Sequence, residues 1–430
     1  MNKPLKIAVA GLGTVGAGTI QLLREQMAVL EARAGRAFAV TAVSARDRNR
    51  DRGVSFDGMH WYDDAVAMAD GADVDVVVEL IGGSDGVAKA VCETAIARGR
   101  HVVTANKALL AHHGAALARA AEAQGVTLAF EAAVAGGIPI IKALREGLAA
   151  NRIRQVVGIL NGTCNYILTQ MRETGREFAE VLAEAQGLGY AEADPSFDVD
   201  GIDAAHKLSI LASLAFNSPV DFGAVHVEGI RQVSALDIDY ARELGYRIKL
   251  LGIARMTEAG LEQRVHPCMV PLASPIATVD GVFNAVIVEG DYVGRSVYEG
   301  RGAGAGPTAS AVVADLLDIA AGRRVPTFGV PADKLMRVPT SPMERHRGAY
   351  YLRLMVLDRP GVFADIAAAL RDEEVSMEAV LQRGRAPGGT VPVVMTVHDT
   401  EEARMMRAVR RMNDLDAVVE PVCVIRIESL

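Results

Sequence analysis

The sequence predicts an α/β protein in three parts: an N-terminal domain built on a parallel sheet, an α+β region, and a C-terminal βαββαβ module. Three observations predict it. From Leu5 to about Phe130, short β-branched runs alternate with amphipathic Ala/Leu/Arg segments, the pattern of βαβ units around a parallel sheet. From Ala133 to about Gly302 this rhythm loosens into stretches punctuated by Gly and Pro, and from Tyr350 a second regular alternation begins. The 430 residues exceed what one hydrophobic core usually organises, so two or three domains are expected.

In chain order, strands are predicted at 6–10, 38–44, 74–79, 101–103 and 127–130, where β-branched residues cluster. Helical periodicity fills 15–32 and 87–98, and Gly99 stands where a C-terminal cap belongs. The middle region carries helix patterns near 178–186 and 202–214 and strand patterns near 154–159 and 284–289. Prolines 331, 339 and 342 among mixed charges mark 330–348 as a linker. The last part reads strand 351–357, helix 363–372, strands 376–382 and 391–398, helix 400–413 and strand 422–427, a ferredoxin-like order.

Lys and Arg number 45 against 53 Asp and Glu, a net charge of −8, which argues against nucleic acid or an anionic membrane and for a small-molecule partner. No apolar run reaches the ~18 residues that a membrane helix needs. Glycines 11, 13, 16 and 18 interrupt the apolar stretch after Lys6, so the start does not read as an export signal. Cys92, Cys164, Cys268 and Cys423 lie far apart with no C-x-x-C pair, so neither a disulfide framework nor a zinc knuckle is expected, and the chain reads as cytoplasmic and reduced.

The first strand runs straight into Gly11-Leu12-Gly13-Thr14-Val15-Gly16 and a helix. In that context G-x-G-x-x-G is a dinucleotide fingerprint: Gly11 makes the tight turn, Gly13 admits a pyrophosphate, Gly16 lets the helix pack on the strand, and the helix N-terminus offers free N–H groups. Alone the motif is a glycine-rich turn; its position between strand and helix gives it meaning. At the end of the second strand Arg46, with Arg48, Arg50 and Arg52 near it, favours a 2′-phosphate and hence NADP over NAD, although Asp47 adjoins. Ser84, after a strand ending in Glu79, and Lys107, after the next strand, fall at the carboxyl ends of the sheet where ligands collect. As a structural residue Lys107 would set its charge against a helix dipole. Asp203 and Lys207, at i and i+4, share one helix face. The bland reading is a surface ion pair at an acidic helix start. The other is that acidic groups hold a substrate while Lys207 exchanges a proton, its pKa lowered by burial or by a second cation such as Lys107. His112 and His113 are adjacent on a helix, cannot face one ligand together, and read as solvated.

These motifs, with Thr104-Ala-Asn-Lys107, Glu131-Ala-Ala-Val-Ala-Gly-Gly-Ile-Pro139, Asn161-Gly-Thr-Cys-Asn-Tyr166, and Gly189-Tyr-Ala-Glu-Ala-Asp-Pro195 followed by Asp198-Val-Asp-Gly-Ile-Asp-Ala-Ala-His-Lys207, resemble homoserine dehydrogenases over residues 5 to about 328. The resemblance implies interconversion of L-homoserine and L-aspartate 4-semialdehyde with NAD or NADP, on the route to threonine and methionine. It implies substrate binding by Glu192 and Asp203, proton transfer by Lys207, a second active-site lysine and cofactor contact at Lys107, and cofactor-proximal Gly189 and Gly304. It also implies a sodium site at Glu131, Val134, Gly136 and Ile138, made mainly of carbonyls. The implied domains are a Rossmann domain at 1–132, completed by about 303–329, a substrate-binding, catalytic and dimerisation domain at 133–302, the linker 330–348, and a regulatory module at 349–430. Leu357-Asp-Arg-Pro-Gly-Val362 resembles the opening of an ACT domain, which implies an amino-acid effector such as threonine, bound between paired modules of a homodimer or homotetramer. A chain ending near Thr340 would then keep every candidate for the chemistry. Two rival readings are an acylating semialdehyde dehydrogenase using Cys164 as nucleophile, against which Cys164 reads as a packing residue, and a sensor without catalysis.

Overall fold

The computed structural model describes residues 3–384, 386 and 388–430. The chain forms two compact units, each assembled from separate stretches. The first holds Met1–Gly162, Asp203–Val225 and Val282–Val338; the second holds Thr163–Ile202, His226–Gly281 and Pro339–Leu430.

The first unit is organised by strands β1 (Leu5–Ala10), β2 (Phe38–Ser44), β3 (His60–Tyr62), β4 (Val76–Glu79), β5 (His101–Thr104) and β6 (Leu128–Ala129). They pair in parallel in the order β3-β2-β1-β4-β5-β6. Both faces are covered, so β4 is buried along its whole length and reads as a continuous apolar run up to Glu79. The order reverses between β1 and β4, which opens a crevice at their carboxyl ends. The single helix expected at 15–32 is broken at Gln26 into Thr14–Glu25 and Met27–Ala34, the second closed by Gly35 at φ 65°. Strand β3 was not expected, because three residues, His60 exposed and Trp61 and Tyr62 half-buried, show no period.

Helix Ala305–Ala320 buries Val312, Val313 and Leu316 in the same core as Ile7, Val9, Ile20 and Leu23. Its start packs on Thr14–Glu25 at Gly18, where a Cβ would meet the Ala305 carbonyl at 3.2 Å. The unit also carries an antiparallel sheet with Phe283–Gly290 between Ile153–Ile159 and Gly294–Arg301.

In the second unit Tyr246–Thr257 and Gly260–Pro271 form a long antiparallel hairpin that the sequence pattern does not show. Gly260–Pro271 is buried on both faces and carries Glu262, Gln263, Arg264 and His266, so it shows neither alternation nor an apolar run. Cys423–Ile427 pairs in parallel with its outer side, and Arg347–Leu357, Thr390–Glu401 and Met377–Gln382 follow antiparallel in that order. With helices Val362–Asp372 and Glu402–Asn413 these four strands make the expected βαββαβ order, around Leu352, Leu354, Ile366, Val393, Met405 and Met412. The segment expected as a linker is pinned at its end: Leu261 and Thr340 form a bridge, the Ser341 amide donates to the Leu261 carbonyl at 3.0 Å, and the next strand begins at Arg347. Among the described residues no helix is long and apolar enough to cross a membrane.

Candidate active site

The turn after β1 is built as its glycines require. Gly11 has φ 97°, and a Cβ there would lie 2.5 Å from the Leu80 carbonyl. At Gly16 a Cβ would lie 2.1 Å from the carbonyl of Gly11, the residue that follows β1, so this glycine lets the helix close on the turn at the end of the strand. Nothing lies within 4 Å of a Cβ on Gly13, which leaves open space in front of the helix that starts at Thr14.

A cleft of about 580 Å³ opens there, lined by Gly11, Leu12, Gly13, Arg46, Arg52 and Leu80 among others. Arg46 is exposed at its wall. Arg52 is committed to the loop, donating to the carbonyls of Leu12 at 2.9 Å and Arg50 at 2.7 Å, with its guanidinium 5.7 Å from the Trp61 ring. Asp47 accepts the Asn49 amide at 2.9 Å, which engages one of its carboxylate oxygens in a local turn. Ser84 donates to Asp85 at 2.8 Å. Gly304, at φ 119°, precedes helix Ala305–Ala320 as its N-terminal cap.

On the first unit's second site element, helix Ile202–Phe216, Asp203 is 3% and Lys207 8% exposed, which excludes the surface ion pair. Lys207 Nζ donates to Asp203 Oδ2 at 2.7 Å and to the Leu160 carbonyl at 2.7 Å. Lys107, the first residue of helix Lys107–Ala123, brings its Nζ to 3.0 Å from Asp203 Oδ1. Asn161 Nδ2 donates to Asp203 Oδ2 at 2.9 Å. One buried carboxylate thus stands between two ammonium groups. Burial works to raise its pKa, but Lys207 first, then Lys107, with hydrogen bonds from Lys207 and Asn161, outweigh it and hold the carboxyl well below the usual range. Asn161 and the Leu160 carbonyl were missed as site groups, since nothing in their spacing ties them to a helix 40 residues on.

His206, beside Lys207, packs on Phe222 at 4.4 Å and His112 at 5.4 Å between ring centroids; burial, followed by the nearby His112, lowers its pKa to about 4. His112 is exposed, as expected, with its ring against His206, whereas His113 is half-buried and contacts Asp85 at 2.9 Å. Glu131 is buried with its carboxylate accepting the amides of Ile141 at 3.0 Å and Lys142 at 2.9 Å, while burial and the Asp315 charge push its pKa up to about 7.

Glu192 and Gly189 belong to the second unit, on the exposed segment after helix Phe178–Gly187, where Gln186 Nε2 donates to the Glu192 carbonyl at 2.9 Å. Cys164, also there, is fully buried with its thiol 3.2 Å from the Asp198 carbonyl. Among the described residues His266, Cys268 and Glu428 lie close enough to share a metal. Arg264, however, donates to His266 at 2.7 Å and to Glu428 at 2.6 Å, so a guanidinium already stands where the cation would.

A dinucleotide turn and a buried lysine–carboxylate–lysine array suit hydride transfer coupled to proton transfer, and the chain is an NAD(P)-dependent oxidoreductase acting on a CH–OH group. The family description "Homoserine dehydrogenase, NAD binding domain" matches residues 11–131, and "Homoserine dehydrogenase" matches 139–317. The chain belongs to the homoserine dehydrogenase family, and its reaction interconverts L-homoserine and L-aspartate 4-semialdehyde. It is 48% identical over 434 residues to a homoserine dehydrogenase of Neisseria gonorrhoeae, covering 100% of this chain and 99% of the relative. A Pseudomonas aeruginosa relative of the same name is 48% identical over 437 residues, covering 100% of both. The crystal structure of a homoserine dehydrogenase from Thiobacillus denitrificans matches with a TM-score of 0.94 and 48% identity, covering 99% of this chain and 98% of that one. The acylating and non-catalytic readings fall with this membership.

Proposed function

We propose that Lys207 is the proton-transferring group of this reaction, that Asp203 and Glu192 hold the substrate, and that Lys107 fixes Asp203 while contacting the cofactor. The Lys107–Asp203–Lys207 array carries the reading: a fully buried carboxylate with two ammonium partners orients both and leaves Lys207 desolvated, as acid–base work requires. Bound in the cleft, the nicotinamide supplies or accepts the hydride. We assign the dinucleotide-binding part to 1–132 with 303–329, since helix Ala305–Ala320 shares its core, and the substrate-binding and dimerising part to 133–302. We read the coenzyme as NADP, because Arg46 stands exposed on the cleft wall; Asp47 lines the same cleft, with one carboxylate oxygen engaged by the Asn49 amide. Ser84, Gly189 and Gly304 are assigned to the cofactor on the family resemblance alone.

A sodium ion is assigned to the carbonyls of Glu131, Val134, Gly136 and Ile138, at a turn in which Ala135 and Gly136 take positive φ; of the buried acids Glu131 and Asp315, the second has Lys142 Nζ at 3.7 Å. The C-terminal module is read as an ACT domain that binds threonine: Gly361, at φ 94°, caps helix Val362–Asp372 and presents its N-terminal amides. Paired modules give a homodimer or homotetramer, and four buried free cysteines suit the reducing cytoplasm. The test is Lys207→Ala in a steady-state assay of NADPH oxidation with aspartate semialdehyde. A fall in kcat of roughly a hundredfold or more with cofactor affinity unchanged is expected; near-normal kcat rejects the assignment.

A further inference from the structure

Glu79 is a carboxylate at the end of a fully buried apolar strand, where an aliphatic residue would continue the packing of Val76 to Val78. Burying it is costly unless hydrogen bonds compensate, and here three do. Oε1 accepts the amides of Ile81 at 2.7 Å and Gly82 at 3.2 Å, and Oε2 accepts the Thr104 hydroxyl at 2.6 Å. That hydroxyl accepts the Asn106 amide at 3.0 Å. The Asn106 side chain accepts the Leu109 amide at 3.0 Å, capping helix Lys107–Ala123, and donates to the Gly83 carbonyl at 2.7 Å. A closed circuit therefore joins the 80–83 turn to the residue before Lys107. Leu80 and Ile81 of that turn line the dinucleotide cleft, and the Leu80 carbonyl abuts Gly11.

We propose that Glu79 is a positioning residue, setting the cleft wall at 80–83 and the head of Lys107 in one geometry through Thr104 and Asn106. The inference rests on the reading of Lys107 and Lys207 above. Glu79→Gln preserves the volume but turns one acceptor into a donor, so it cannot accept both from the amides and from Thr104.

Purified full-length Glu79→Gln, Thr104→Val, Thr104→Ser, Lys107→Ala and the double variant Glu79→Gln/Lys107→Ala would be compared by thermal denaturation and by kcat and KM for NADPH. Glu79→Gln and Thr104→Val are expected to lower kcat on the order of ten- to a hundredfold, as displaced site groups do, and to raise KM. Thr104→Ser, which keeps the hydroxyl, should recover most of the loss seen in Thr104→Val. The double variant should have the kcat of Lys107→Ala alone, because Glu79 acts on kcat through that lysine. Lower melting temperatures with wild-type kcat and KM, or multiplicative losses of kcat in the double variant, overturn the proposal. If Glu79→Gln does not fold, the two Thr104 variants decide. Full activity of Lys107→Ala overturns the site reading and this inference together; loss in Lys107→Ala beside normal constants in Glu79→Gln overturns the inference alone.

Discussion

Asp203 stands between Lys107 and Lys207, and on the same helix the buried His206 carries a sensitivity to acid. With its pKa near 4 in the fold and near 6.5 when unfolded, His206 takes up a proton in the unfolded chain first as pH falls. Between those values the unfolded state binds more protons, so this contribution to stability is complete above about pH 6.5 and is lost as pH falls toward about 4. Urea denaturation at pH 7.5, 5.5 and 4.5 should show a smaller loss in His206→Gln than in the wild type; equal losses would assign the acid sensitivity elsewhere. Arg46 offers a second test. If it meets a 2′-phosphate, Arg46→Ala should raise KM for NADPH far more than for NADH, by a charge-assisted bond worth roughly 1.5–3 kcal/mol. Equal changes would make it a solvated loop residue.

The turn from β1 into helix Thr14–Glu25 shows how glycines of one motif serve different ends. A methyl on Gly16 would collide with the Gly11 carbonyl at 2.1 Å, whereas one on Gly13 meets nothing within 4 Å. Gly16→Ala should therefore destabilise the protein by about 1–3 kcal/mol, the usual cost of overpacking. Gly13→Ala should melt like the wild type while weakening the cofactor, since its methyl enters the space left for the dinucleotide. Thermal denaturation with and without NADPH separates the two, and equal melting of both variants would contradict the geometry. The motif and its flanking elements were legible because a parallel sheet demands continuous apolar strands and the turn demands glycine. The Gly260–Pro271 strand was not, because its charged residues look exposed until their partners across the sheet are known.

Across the whole chain, the largest change from the sequence reading concerns the C-terminal module. Its last strand pairs with Gly260–Pro271, and Glu428 just beyond it holds the fully buried Arg264 at 2.6 Å, with Glu262 also at 2.6 Å. A chain ending near Thr340 would strip that strand and one of the two carboxylates from Arg264, so it should unfold within the second unit and not merely lose regulation. Glu428→Ala isolates the charge, and a loss of about 3–5 kcal/mol in urea denaturation is expected for half of a buried pair removed; a loss under about 1 kcal/mol would show Glu262 alone to suffice. Regulation is therefore tested on the full-length enzyme, where threonine should inhibit and bind with heat, and active-site ligands should weaken that binding reciprocally. Absence of both effects leaves the module structural. Periodicity, the glycine fingerprint and the i, i+4 pair Asp203 and Lys207 follow from local chain geometry, so the parallel sheet, the βαββαβ order and one face of the candidate site could be read from the chain alone. Lys107 reaching Asp203, Asn161 closing on it, Glu79 tying two strand ends and Glu428 neutralising Arg264 join residues 25 to 164 positions apart. Those pairings are visible in the folded chain alone, because a buried charge selects its partner by proximity in the fold and leaves no period in the chain.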